Sequence, residues 1–204
     1  MTAIVGATTV GRSDTPILET GTDHHAANQS RSEATLPTTK QEAEMSPKDD
    51  GVTPKRGPEH DVLAVFLGNW TAKGTSYGGT DQSGPDPKAN GVPWTSTHVG
   101  RWHTGEFFLI QDEKARPAGD VFDTLSVMGV DPETGKYFAA AFENHGFFRR
   151  YDVTVNGRVW TISGKTERAT IEFSPDDRTQ TIVWEWKPEG RWLPLCARVA
   201  VRTD

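Results

Sequence analysis

The chain has 204 residues, 34% of them hydrophobic, and a formal net charge of −6; that is length for one domain with an appendage and too little apolar content for two full cores. Its 22 basic residues against 28 acidic ones leave no basic excess of the kind phosphate backbones demand, so nucleic acid is excluded as an expected partner. No apolar stretch approaches the roughly 20 residues that span a bilayer, which excludes a membrane-spanning helix.

Residues 1–57 are rich in Thr, Ser, Asp, Glu, Pro and Gly and hold no Phe, Trp or Tyr. Such a segment cannot bury enough surface to offset an ordering entropy of about 1–2 kcal/mol per residue, so a disordered tail is expected over 1–57, with the folded domain over 58–204. "MTAIVGATTVGR" has neither a basic start nor a long apolar run, so export is not expected. The single cysteine, Cys196, cannot form an intrachain disulfide, and a reducing cytoplasm with Cys196 as a packed small hydrophobe is the expected setting. His24 and His25 lie in the tail without a scaffold, and no ligand pair elsewhere has zinc spacing, so no metal is expected.

The folded part opens with "HDVLAVFL", one short amphipathic helical turn, followed by Gly68 and Trp70. A flexible Gly where a helical turn meets a strand, with an indole two residues on, suits a structural plug for the closed end of a barrel; Trp70 as a ligand contact is the alternative. In "VPWTSTHVGRW" the alternation puts Trp94, Ser96, His98, Gly100 and Trp102 on one face, the more aromatic and hence interior one. His98 is there either a hydrogen-bonded core residue or part of a pocket wall. His103 falls on the opposite, solvent face. "VDPETGKY" has the Asp-Pro and Gly of a short hairpin loop. "ENHGFFRRYDV" places Phe147, Arg149, Tyr151 and Val153 on one face; if inward, Arg149 and Tyr151 offer a cation and a phenol to a carboxylate-bearing ligand, and otherwise Arg149 is a rim charge. His145 lies at the turn.

"VNGRV" is a hairpin signal, and the switch of apolar parity from Trp160 and Ile162 to Ala169, Ile171 and Phe173 requires a turn near 163–167. In "TQTIVWEWK", Ile182, Trp184 and Trp186 share a face. About nine or ten antiparallel strands result, and an up-and-down barrel closes their edges.

The order "HDVLAVFLGNWTAKG", "VGRWHTGEFFLI", "MGVDPETGKYFAAAFENHG", "VWTISG" and "EGRWLPLCARVAVR" resembles the bacterial family of unknown function DUF1579 over about residues 59–203. The resemblance implies a calycin, lipocalin-like barrel and no settled activity. It also implies that a late arginine, Arg198 or Arg202, packs across Trp70. Nitrobindin, a haem-binding barrel, is a similar cousin with a Gly-x-Trp-x-Gly-x-Gly opening. Here Ala72 stands at the middle Gly while Gly74 matches, and no His follows His145 to serve as the late proximal ligand, so no cofactor is expected.

The expected function is binding of a small apolar or amphipathic molecule, with or without a carboxylate, by His98, Trp94, Trp102, Arg149, Tyr151, Trp184 and Trp186. The alternative is a cofactor-independent isomerase or cyclase using His98, Glu185, Arg149 and Tyr151; no nucleophile elbow, phosphate loop or dinucleotide turn is present. A third class is a scaffold for a protein partner through the tail or an open sheet edge, and for self-association a homodimer is left open.

Overall fold

The computed structural model describes residues 53–204; the expected tail falls mainly on residues 1–52, which lie outside them. The chain enters through α1 (Pro58–Asp61) and a 3-10 turn (Val62–Phe66). Ten strands follow: β1 (Gly68–Ser76), β2 (Val92–Trp102), β3 (Phe108–Pro117), β4 (Phe122–Val130), β5 (Tyr137–Glu143), β6 (Phe148–Asn156), β7 (Val159–Ser163), β8 (Glu167–Phe173), β9 (Thr179–Trp186) and β10 (Leu193–Arg202). Each pairs antiparallel with the next and β10 returns to β1, closing an up-and-down barrel. Closure removes the open edge, one of the two routes of the scaffold reading; the other, the tail, falls mainly outside the described residues.

The hairpins form where the turn residues allow. Asp131 accepts backbone N–H bonds from Glu133 and Thr134 through Oδ1, an Asx turn that reverses the chain between β4 and β5. The Asn156-Gly157 pair joins β6 to β7, and the parity switch at 163–167 is the β7–β8 turn, leaving Trp160, Ile162, Ala169, Ile171 and Phe173 all buried.

Alternation then fills the interior. Trp70, Trp94, Trp160 and Trp184 are buried together with Phe66, Phe173, Leu63 and Leu195. One end is stoppered by the 3-10 turn, whose Phe66 meets Trp160 and Phe173 edge-on at 4.8 and 5.0 Å. Three hydrogen bonds lash this plug to the wall: Tyr137 Oη donates to Glu59 O (2.9 Å), Arg202 Nη2 to Val65 O (2.9 Å) and Trp70 Nε1 to Leu67 O (3.1 Å). Gly68, at φ +100°, makes the left-handed bend between plug and β1 that other residues avoid.

Candidate functional site

Two buried charged clusters occupy the barrel. The first lies behind Trp70 and is built by register: Trp70 stands opposite His98, and His98 opposite Glu113. The His98 ring stacks on the indole of Trp70 at 5.8 Å, while Arg198 reaches from β10 to put Nη2 3.2 Å from Glu113 Oε2 and its guanidinium 4.8 Å over the Trp94 ring. Burial pushes His98 down to about 4, despite the pull of Glu113 in the other direction, so its imidazole is neutral. Burial, the largest single influence, would raise Glu113, but the Arg198 charge together with His98 and a hydrogen bond from Ser96 holds the carboxyl well below the usual range. The same burial pushes the Cys196 thiol up to about 11, leaving it inert as a nucleophile.

Between Phe66, His98, Gln111, Glu113, Gln180 and Arg198 lies a cavity of about 10 Å³, room for one water molecule. Gln111 Oε1, Gln180 Nε2 and Arg198 Nε are buried without a hydrogen-bond partner among the described residues, and a water there has polar atoms to hold it. The space does not fit a haem, and no histidine follows His145 on the later strands. Among the described residues no cluster of three or more His, Cys, Asp or Glu could hold a metal ion.

The second cluster lies toward the opposite end. Arg149 donates through Nη1 to Glu143 Oε1 (2.6 Å) and lies with Nε 3.0 Å from Glu167 Oε2, which also accepts from Tyr151 Oη (2.9 Å). Tyr151 packs edge-on against Trp184 at 5.7 Å, and the Arg149 guanidinium sits 4.5 Å over Phe147. Two carboxylates share one cation here. Burial first, and then the Glu167 charge, outweigh Arg149 and raise Glu143 to about 7; burial and Glu167 also raise the Tyr151 phenol. Glu143 thus changes protonation near neutrality, and Arg149 links it to Glu167, which holds the hydroxyl of Tyr151, a phenol that keeps its proton.

The interior parity expected for His98, Trp94 and Trp184, and the inward alternative for Arg149 and Tyr151, match the observed orientations, but these residues divide between the two clusters. Trp102 is half-buried under the Arg56 guanidinium at 5.5 Å, which places Arg56 against the barrel. Trp186 donates Nε1 to Gln82 Oε1 (3.0 Å), tying the β1–β2 loop to β9. The arginine on Trp70 is Arg202, 4.8 Å over the ring. Glu185 is corrected: it lies on the outer wall, paired with Arg168 at 2.7 Å, because it alternates with the buried Trp184. None of Glu113, Glu143 and Glu167 was assigned to a site from the sequence. Tyr151 next to an inward Arg149 was the signal that a counter-charge had to be near.

A closed ten-strand meander, plugged at one end and carrying buried ion pairs in its interior, is the class of protein these features define. The family model described as "Protein of unknown function (DUF1579)" matches residues 55–195, and the chain belongs to that family. No curated protein matches it. Among solved structures, that of Rv2717c from M. tuberculosis is similar with a TM-score of 0.53 at 16% identity, covering 74% of this chain and 100% of that one, a likeness of fold. Among the described residues no helix is long and apolar enough to cross a membrane.

Proposed function

We propose that the protein binds a small apolar or amphipathic molecule in a recess beside its plug. The observation that carries this reading is a recess of about 280 Å³ lined by Val62, Val65, Gly157, Arg158, Trp160, Phe173 and Asp177, against about 10 Å³ in the cavity beside His98 and Glu113. The recess approaches the lower end of ordinary ligand sites, roughly 300 Å³, and joins an apolar floor to a few polar groups. Trp160 and Phe173 form the floor. Arg158 supplies the polar group; it is paired with Asp177 on the exposed rim, and such a pair is worth only about 0–1 kcal/mol, so a ligand carboxylate can compete for it. Arg149 suits that task less, since two buried carboxylates already hold it. The recess, not the interior face, is therefore where we place an amphipathic carboxylate.

Octanoate and 1-octanol, titrated calorimetrically, test the assignment. Arg158→Leu is expected to weaken octanoate by about 1.5–3 kcal/mol, the worth of a charge-assisted hydrogen bond, and to spare the alcohol. Val62→Trp, a substitution at an exposed position, is expected to fill the recess and abolish both. Binding that survives Val62→Trp and is lost in Arg149→Leu would move the ligand into the interior and overturn the recess. A second reading, cofactor-free proton transfer, is favoured by Glu143, which stands at about 7, where a general base is most effective, and shares Arg149 with Glu167, the acceptor of the Tyr151 hydroxyl.

A further inference from the structure

Outward positions on most strands are polar or small, as with Asn69, Thr71 and Lys73 on β1 or Arg168, Thr170 and Glu172 on β8. The wall formed by β3 to β6 departs from this pattern. Phe148 lies opposite Phe142, and Phe142 opposite Leu125, so three large apolar side chains form one row across β6, β5 and β4. They are 64%, 47% and 44% exposed, with the two phenyl rings 5.1 Å apart. The next outward row holds Ala140 and Val127, smaller than Phe142 and Leu125, with Ile110 beyond them on β3, and is flanked on β6 by Arg150. A contiguous apolar patch of this kind on a soluble wall marks an interaction surface.

We infer that the occupant is a second copy of this chain, packed face to face about a two-fold axis that crosses the strands between the two rows. That operation lays the large row of one protomer on the small row of the other: Phe142 over the partner's Ala140, Leu125 over its Val127, and Phe148 over its Arg150, a cation–π contact. Relief is self-complementary over β4 to β6, while on β3 the exposed Asp112, which ends the large row, comes over the partner's Ile110 and beside its Arg101, the β2 neighbour of Ile110. The patch is bounded by ion pairs of both signs, Arg116–Asp123 at 2.9 Å on one flank and Arg150–Asp131 at 3.3 Å on the other, so its border selects neither an acidic nor a basic stranger and does not repel its own copy. Four strands at a spacing of about 4.8 Å make an apolar core only about 14 Å across, which is the scale of a reversible dimer. Because each protomer carries −6, the long-range repulsion is screened by salt, and association strengthens as ionic strength rises.

Sedimentation equilibrium on the full chain tests this. The weight-average mass is expected to climb from 22.4 kDa toward twice that value and stop there, more readily at high salt. Leu125→Lys with Phe148→Lys is expected to weaken the dimer by at least about 10-fold with an unchanged melting curve, since both side chains are exposed. Val199→Lys, on the outer face of β10 and 45% exposed, is expected to leave it intact. A wild-type chain that stays monomeric to about 200 µM, far above a micromolar constant, overturns the proposal. So does association that continues past the dimer, survives the double lysine variant, or is lost equally with Val199→Lys.

Discussion

His98 and Glu143 make opposite demands on pH. His98 stands at about 4 in the folded chain against an ordinary 6.5, so the fold binds fewer protons there than the unfolded chain does; its contribution to stability is complete above pH 6.5 and is lost as pH falls toward 4. Glu143 stands at about 7 against 4.5, so its contribution is complete below pH 4.5 and is lost as pH rises through 7. Urea unfolding across pH 4 to 8 is expected to show both slopes. His98→Gln should flatten the acid limb, where the wild type forfeits roughly 2 kcal/mol between pH 7 and 5 through this group, and Glu143→Gln the limb toward neutrality. An acid limb unaltered in His98→Gln would mean that the imidazole is charged inside the barrel. Glu113, held well below the usual carboxylate range, stays ionised across this span; removing it or its partner Arg198 would strand the other in the core, a loss of about 3–5 kcal/mol.

At the scale of elements, the plug and β2 fit because Gly100 carries no side chain. A Cβ added there would lie 2.0 Å from Phe66 O and 2.9 Å from its carbonyl carbon, both backbone atoms that can yield only if the 3-10 turn lifts. Gly100→Ala is therefore expected to destabilise the barrel by about 1–3 kcal/mol, the range for overpacking, and to disturb the neighbouring recess, so that octanoate binding falls along with the urea midpoint. A midpoint equal to wild type would show that the turn moves freely. The strand parities on β2 and β9 were legible in the sequence because most of their inner residues are apolar or aromatic and most of their outer ones polar, whereas on β6 the outward Phe148 and the inward Arg149 left the choice open. On β3 they were not. There Leu109, Gln111 and Glu113 point inward while Phe108 and Ile110 point outward, and an apolar outer wall cancels the alternation that would have revealed Glu113. Glu167 was hidden for another reason: it is the first residue of β8, where the sequence showed only a turn. Arg198 and Arg202 share parity, and only register separates them, with Trp70 opposite Arg202 and Gly74 opposite Arg198.

For the whole molecule, closure between β1 and β10 pairs every strand on both sides, and the plug that seals one end begins at Pro58. The described barrel thus needs no further strand or cap to satisfy its backbone. Deleting residues 1–52 is expected to leave the melting temperature within about 4 °C of the full chain, equivalent to roughly 1 kcal/mol in a domain of this size. The same truncation removes four basic and eight acidic residues and leaves a net charge of −2. Self-association should then lose most of its salt dependence, because the repulsion that salt screens has nearly gone. Calorimetry and sedimentation on the one truncated chain separate the two claims. A melting temperature lower by ten degrees or more, well beyond the roughly 4 °C allowed, would show that the first 52 residues stabilise the barrel. A dimer that still tightens steeply with salt would place the repulsion in the wall itself, among the charges that border Phe142 and Phe148.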